Sequence, residues 1–447
     1  MPVLRQPGVV LSDHVIQVPL DHDDPAGEQI SVYAREAVAA GREADKLPWL
    51  LFLQGGPGGR SPRPLGRDSW LVRALDDYRV LLLDQRGTGR STPANRQTLA
   101  LRGTPQAQAD YLSHFRSDAI VRDAEVFRRH LIGRKLLGRG GDRNGDGRWS
   151  LLGQSFGGFC VLTYLSRFPE AIKEAFVTGG LAGLRTGPED VYRAAYPRVA
   201  RKNDGHYARY PQDVEAARRI AGHLREKRVE LPDGGVLSAE AFQALGLMLG
   251  AGTGSHTLHY LLEDAWVTGA AGPELSDGFL AGVRAELSFD SGPLFALLHE
   301  SIYGQRSVSP EGTRWAAQRV RPEFPGFDVD RSLADGAPVH FTGEMIYPWM
   351  FETDPALRPL REAAEILAER KDWPDLYDPA RLASNEVPVV AAVYHDDMYV
   401  DTADSLATAR TVRGLRTWVT DEWEHDGLRV SGGQVLDRLI RMARGEV

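Results

Sequence analysis

The sequence holds a single cysteine, Cys160, so no disulfide can close within the chain. Set in an apolar stretch, that cysteine reads as a small core residue. No apolar run approaches the roughly 18 residues that a membrane span needs. The first residues, Met-Pro-Val-Leu-Arg-Gln-Pro-Gly, lack the basic segment and long apolar run of a signal peptide. These two observations lead to the expectation of a cytoplasmic protein with no membrane partner. A basic surplus is also missing. With 53 Lys and Arg against 61 Asp and Glu the net charge is −8, so no excess of cations exists to displace counterions from a phosphate backbone, and no nucleic-acid partner is expected. There is no His-Glu-x-x-His pattern, so neither a metal nor any other cofactor is expected. No internal repeat or low-complexity tract stands out, and nothing in the composition reports an oligomeric state.

What is present is a chain of 447 residues, 42% hydrophobic, long enough for a core plus an insertion. Residues 14–20 and 29–35 alternate apolar and polar around the polar turn 21–27, and read as an antiparallel pair. Continuous apolar runs at 48–53, 78–83, 149–152 and 175–178 read as buried parallel strands. Charged segments of helical spacing, such as 104–132, fall between them, which predicts an α/β architecture with a mostly parallel sheet covered on both faces. From about 186 to 334 strand-like runs become scarce and helical patterns dominate, at 214–227, 239–249 and 258–267. Strand patterns are expected again at 339–342, 387–394 and 415–419. The expected division is a core of 1–185 and 336–447 with a helical cap at 186–335. Asp142-Arg143-Asn144-Gly145-Asp146-Gly147 begins like a calcium loop, but the twelfth position falls on Gly153 instead of a glutamate, so it reads as a polar turn.

The chemistry centres on Gly153-Gln154-Ser155-Phe156-Gly157 between an apolar strand and an apolar helix, the pattern of a nucleophile elbow. A serine in so sharp a turn needs small neighbours, which Gly153 and Gly157 supply. Another loop, Gln54-Gly55-Gly56-Pro57-Gly58-Gly59, follows a buried strand and reads as an oxyanion loop with the Gly56 N–H facing a substrate carbonyl. No Lys-Ser or Lys-Thr closes it as a phosphate loop. Asp84 and Arg86, after the 78–83 strand, read as a buried ion pair bracing these loops. A serine nucleophile needs a base and an orienting acid, which in such sheets follow it in the order acid, then His, each after a late strand. The late strand ends offer Asp396 and Asp397, then His425. The residues alone leave the two aspartates open. They also leave open an esterase, amidase or lactonase with this same triad, and a non-catalytic binding protein of the same architecture.

Five segments together resemble the prolyl aminopeptidases (proline iminopeptidases) of the α/β-hydrolase fold. Leu53-Gln54-Gly55-Gly56-Pro57-Gly58 is similar to the family's His-Gly-Gly-Pro-Gly loop, with Gln54 in place of His. Asp84-Gln85-Arg86-Gly87-Thr88-Gly89-Arg90-Ser91 resembles the signature Asp-Gln-Arg-Gly-x-Gly-x-Ser, and Gly153-Gln154-Ser155-Phe156-Gly157-Gly158 the nucleophile segment. His395-Asp396-Asp397-Met398 is similar to Gly-Arg-Tyr-Asp, which favours Asp397 as the acid. Gly343 to Phe351, Gly-Glu-Met-Ile-Tyr-Pro-Trp-Met-Phe, is similar to the larger-subunit branch. The resemblance implies an α/β-hydrolase fold with a cap. It also implies a catalytic set of Ser155, Asp397 and His425 and an oxyanion hole at Gly56 and Phe156. The substrate would be a small peptide with a free N-terminus, preferably proline. The family holds the substrate amine with cap glutamates, which implies Glu344 and, on weaker alignment, Glu300. The aromatic segment around Glu344, with Phe156, would wall a pocket for a pyrrolidine ring.

Overall fold

A computed structural model describes residues 3–67, 69–133, 147–270 and 272–447. The polar turn expected at 142–146 lies outside them. The chain opens with β1 (Val3–Gln6), β2 (Val9–Pro19) and β3 (Gln29–Ala39), followed by β4 (Trp49–Leu53), β5 (Arg79–Asp84), β6 (Trp149–Gln154) and β7 (Ile172–Thr178). Two short hairpins come next, β8 (Val229–Glu230) with β9 (Val236–Leu237) and β10 (Trp266–Gly269) with β11 (Gly272–Leu275). The chain then reaches β12 (Val389–Tyr394) and β13 (Leu415–Thr420). Nine strands form one sheet in the order β1-β2-β3-β5-β4-β6-β7-β12-β13. The expected antiparallel pair is there and runs longer, from Val9 opposite Ala39 to Pro19 opposite Gln29. From β5 to β13 every pairing is parallel.

The continuous apolar runs follow from burial on both faces. Along β4 all residues are buried, yet neighbours serve opposite layers. Leu51 packs in a core with Val121 and Phe127 of the helix Ser117–Arg128 and Phe159 and Leu162 of the helix Phe156–Arg167. Leu50 and Phe52 pack on the other face, with Leu71 and Leu75 of the helix Leu71–Asp77 and Leu436 and Leu439 of the helix Gln434–Arg444. Among the described residues no helix is long and apolar enough to cross a membrane.

Between β7 and β12 the chain builds a third, mostly helical core. Tyr196 of the long helix Pro188–Arg209, Phe242, Phe279 and Leu294 lie in it. Three local expectations are corrected here. The helix expected over 258–267 is Gly254–Glu263, and Trp266 and Val267 already belong to β10. The helix expected over 239–249 is α-helical only for Ala239–Gln243 and tightens to a 3-10 helix over Ala244–Gly250. The run 339–342 is not a strand. Its backbone is satisfied by a cap side chain and the end of a cap helix instead of by a neighbouring strand: Phe341 N–H donates to Asn203 Oδ1 at 2.7 Å and Thr342 N–H to Gln243 O at 2.7 Å. Phe341, Tyr347, Leu360 and Trp373 join the helical core, and the sheet is not rejoined until Val389.

Candidate active site

The carboxyl ends of β4, β6, β12 and β13 meet the helical layer around a cavity of about 750 Å3. Ser155, the first residue after β6, has φ 54° and ψ −126°, a left-handed conformation that a side chain rarely adopts. Two glycines make room for it. A Cβ on Gly157 would stand 1.9 Å from Leu53 O, and one on Gly153 would stand 2.4 Å from Gly157 O, so strand and helix pass too closely for any side chain. Ser155 N–H donates to Thr178 O at 3.0 Å, which ties the turn to β7. The helix Phe156–Arg167 starts at this point, and the N–H of Phe156, its first residue, has no intrahelical acceptor. Its dipole favours negative charge beside Ser155.

His425, in the loop after β13, lines the same cavity. Its Nδ1 donates to Asp397 Oδ2 at 2.7 Å. The other carboxylate oxygen, Oδ1, accepts the N–H groups of Tyr399 at 2.9 Å and Val400 at 3.1 Å, so the carboxylate cannot rotate away. The Tyr399 ring stands edge-on to the imidazole, 4.7 Å between centroids at 87°. Between the two aspartates the geometry is plain. The Asp397 side chain is 2% exposed, whereas that of Asp396 is 61% exposed and meets only His395, at 3.1 Å. Burial works against a charge on His425. The Asp397 carboxylate outweighs it, by charge and hydrogen bond, with Glu344 and Asp426 adding, and the imidazole pKa is held above its ordinary value.

The glycine-rich loop after β4 brings Gly56, at φ 127°, to the cavity wall. Gln85 Nε2 holds this loop through Gln54 O at 2.9 Å. Asp84 and Arg86 do brace the site loops, but not by pairing with each other as expected. Asp84 binds Arg63 and accepts the N–H groups of Ser61 (3.1 Å) and Arg90 (2.8 Å), tying the loop after β4 to the loop after β5. Arg86, fully buried, forks onto Asp123 at 2.8 and 2.6 Å.

Glu344 lies on the irregular segment that crosses the cavity, and His299 Nε2 donates to its backbone O at 3.2 Å. Its carboxylate has neither an ion pair nor a hydrogen bond with any of the described residues. Burial pushes its pKa up to about 7; the charge of His425 opposes the shift and Asp397 adds to it. The other carboxylates of the cavity are mostly engaged. Asp233 pairs with Arg284 at 2.5 Å, Asp354 caps the Ala356 N–H at 2.7 Å, and Asp426 accepts the Gly252 N–H at 3.2 Å. The exposed Glu286 has no such partner. Glu300 is not brought to the cavity. It is buried in the cap, where its Oε1 accepts Ala317 N–H at 3.0 Å at the start of the helix Ala316–Val320. Phe156 is also misplaced as a pocket wall: its ring is buried edge-on to Phe159 beneath the elbow. The apolar wall comes instead from Met345, Ile346, Trp349 and Met350, as expected of that segment, and from Phe289 and Phe295, which the sequence reading missed. Nothing in the spacing of those two rings distinguishes them from core residues of a cap helix.

A mostly parallel sheet with a strained serine after a central strand, and a histidine–aspartate pair on loops at two later strand ends, defines the class as an α/β hydrolase. The family model for the alpha/beta hydrolase fold matches residues 48–230. A proline iminopeptidase of Aeromonas sobria is 49% identical over 438 residues, which cover 98% of this chain and 97% of that protein. One of Aspergillus aculeatus is 36% identical over 444 residues, covering 98% and 94%. The chain belongs to the proline iminopeptidase family.

Proposed function

We propose that the protein is a serine aminopeptidase that releases an N-terminal residue, preferably proline, from small peptides through an acyl-enzyme. The observation that carries the reading is Glu344: a half-buried carboxylate with no partner among the described residues, in one cavity with Ser155 and His425. A site for neutral esters has no use for such a group, and a substrate ammonium supplies the missing partner. Glu286 at the cavity wall is the second carboxylate available, in place of Glu300.

In this mechanism neutral His425 takes the Ser155 hydroxyl proton through Nε2 as Oγ attacks the first peptide carbonyl. Asp397 fixes the tautomer with the proton on Nδ1 and stabilises the imidazolium. The N–H groups of Phe156 and Gly56 receive the oxyanion, each worth roughly 3–4 kcal/mol in the transition state. His425 then passes its proton to the leaving peptide nitrogen, and a water activated by the same imidazole cleaves the ester. The test is a panel of aminoacyl-arylamides against simple acyl esters, with an organophosphate to label Ser155. Failure of Pro-arylamide to be the best amide substrate would sink the proline preference. Faster turnover of neutral esters than of every aminoacyl-arylamide favours an esterase, and an unlabelled Ser155 favours a binding protein.

We also propose a cytoplasmic location; recovery in a membrane or secreted fraction would overturn it. The chain is also read as a hydrolase core with a cap, the cap running from about 186 to about 373 instead of to 335, because residues 339–373 pack with the cap helices whereas Leu376, Tyr377, Leu382 and Val387 pack with the sheet. Hydrogen exchange tests this: segment 339–373 should open with the helix Pro188–Arg209, and opening together with β12 would refute it.

A further inference from the structure

A second pocket, of about 280 Å3, adjoins the reaction cavity, and Ala251 lines both. One wall is a face of the long helix Pro188–Arg209, where Arg198, Arg201, Lys202, His206 and Arg209 recur at helical spacing. Some of that charge is committed. Arg198 binds Asp401 at 2.5 Å, and Lys202 binds both oxygens of Glu424 at 2.6 Å. Burial lowers the pKa of His206 to about 4, so its ring is neutral. Arg201 and Arg209 are exposed at the pocket wall, with no ion pair or hydrogen bond to any described residue. Asp396, the other carboxylate there, is engaged by His395 at 3.1 Å.

Ser255 lines the opposite wall from the first turn of the helix Gly254–Glu263, whose Gly254, His256 and Thr257 N–H groups already donate to Ala251 O and Thr253 O. The ring of His206 holds the Ser255 hydroxyl through Nδ1 at 2.9 Å. In a protein of net charge −8, a concavity with two uncommitted guanidinium groups is out of keeping with its surroundings. A helix C-terminus favours a cation at Arg209. It does not account for Arg201, more than two turns earlier, or for the hollow between them.

We propose that this pocket binds a small phosphoryl-bearing anion, gripped by Arg201 and Arg209 with the Ser255 hydroxyl beside it. Guanidinium forks suit a group with several acceptor oxygens and more than one charge. A carboxylate offers fewer oxygens and a single charge. The ligand is either free phosphate or a phosphate monoester, and the experiment separates them.

The full chain is titrated by calorimetry and thermal unfolding with inorganic phosphate, glycerol 3-phosphate and glutarate, each against sodium chloride of matched ionic strength. The wild type should show saturable binding of one or both phosphates and a rise in Tm of about 2 °C at twenty times Kd. The tighter of the two identifies the source. The double variant Arg201→Gln/Arg209→Gln should bind at least tenfold more weakly while hydrolysing Pro-arylamide as the wild type does in chloride buffer. A response no larger than that of chloride, glutarate binding as tightly as both phosphates, or undiminished binding by the double variant overturns the proposal.

Discussion

Glu344→Gln is the sharpest perturbation of the proposed mechanism. The side chain keeps its shape and an acceptor oxygen but loses the charge that would meet the substrate ammonium. Removing one partner of a buried ion pair costs roughly 3–5 kcal/mol, which is roughly 10²–10⁴-fold in kcat/KM. The lower end is expected, because Glu344 lines an open cavity and the amide still accepts a hydrogen bond. The loss should be confined to substrates with a free amine, with hydrolysis of a neutral acyl ester kept within about threefold. The pH profile carries a second signature. With a Glu344 pKa of about 7, the anchoring carboxylate forms only as pH rises through neutrality, so wild-type kcat/KM for Pro-arylamide should climb through pH 7. It should fall again as the substrate ammonium deprotonates near about pH 8. Glu344 also supports the charged form of His425, so the variant's imidazole should lose its proton at lower pH, and the acid limb for the neutral ester should move down. The assay is steady-state kinetics on both substrates from pH 5 to 9. Equal losses on amide and ester would mean that Glu344 is structural, and survival of amide hydrolysis within about threefold would remove the amine anchor altogether.

Other perturbations follow from the same geometry. Asp397→Asn should lower kcat by about 10⁴ through the wrong imidazole tautomer, whereas the exposed Asp396→Asn should stay within about twofold; the reverse ranking would overturn the assignment of the acid. Glu300 has a folded pKa of about 7 against an ordinary 4.5, so the folded state holds its proton longer than the unfolded chain, and stability drains away as pH rises between those values. Urea unfolding of Glu300→Gln should therefore show a pH slope shallower than wild type by about 2–3 kcal/mol between pH 5 and 8, and an unchanged slope would contradict the burial argument. Gly157→Ala has no space at the elbow and should destabilise by about 1–3 kcal/mol or more and abolish organophosphate labelling. Gly222→Ala, in the helix Asp213–Glu226 with nothing within 4 Å of the added carbon, should instead stabilise by about 0.5–1 kcal/mol. Equal effects at the two glycines would refute the close-approach reasoning.

Buried parallel strands were legible because burial on both faces leaves a continuous apolar run, and the site loops follow those runs directly. That is why Ser155 and His425 could be placed from strand ends. The misreadings share a different cause. The run 339–342 has strand composition, but composition does not say whether a neighbouring strand or Asn203 and Gln243 will satisfy the backbone. Asp396 and Asp397, by contrast, were separated only by the resemblance, which favoured Asp397; in the structure two backbone N–H groups, those of Tyr399 and Val400, turn its carboxylate inward. The choice of Glu300 rested on a weak alignment with the family's cap glutamates. Such an alignment does not tell a void that admits substrate from the start of a cap helix, and Glu300 is buried against the second.

These outcomes separate the chemistry from the selectivity in physical terms. Ser155, Asp397 and His425 are positioned by backbone bonds at strand ends, so their geometry is a property of the sheet. Glu344 sits on a segment without regular structure, and its position depends on the cap. His299 bonds its carbonyl, while Asn203 and Gln243 hold Phe341 and Thr342 just before it. A carboxylate so placed pays a desolvation penalty whenever it is ionised without a partner. In the proposed reading that penalty is relieved when the substrate ammonium enters the cavity, so the amine end of a peptide would be selected by the cost of its absence. Once the ammonium neutralises Glu344, the field that favours charged His425 weakens, and the imidazole becomes a neutral base more readily in the complex than in the free enzyme. In that reading substrate recognition by the cap and base activation in the core are coupled through one half-buried charge.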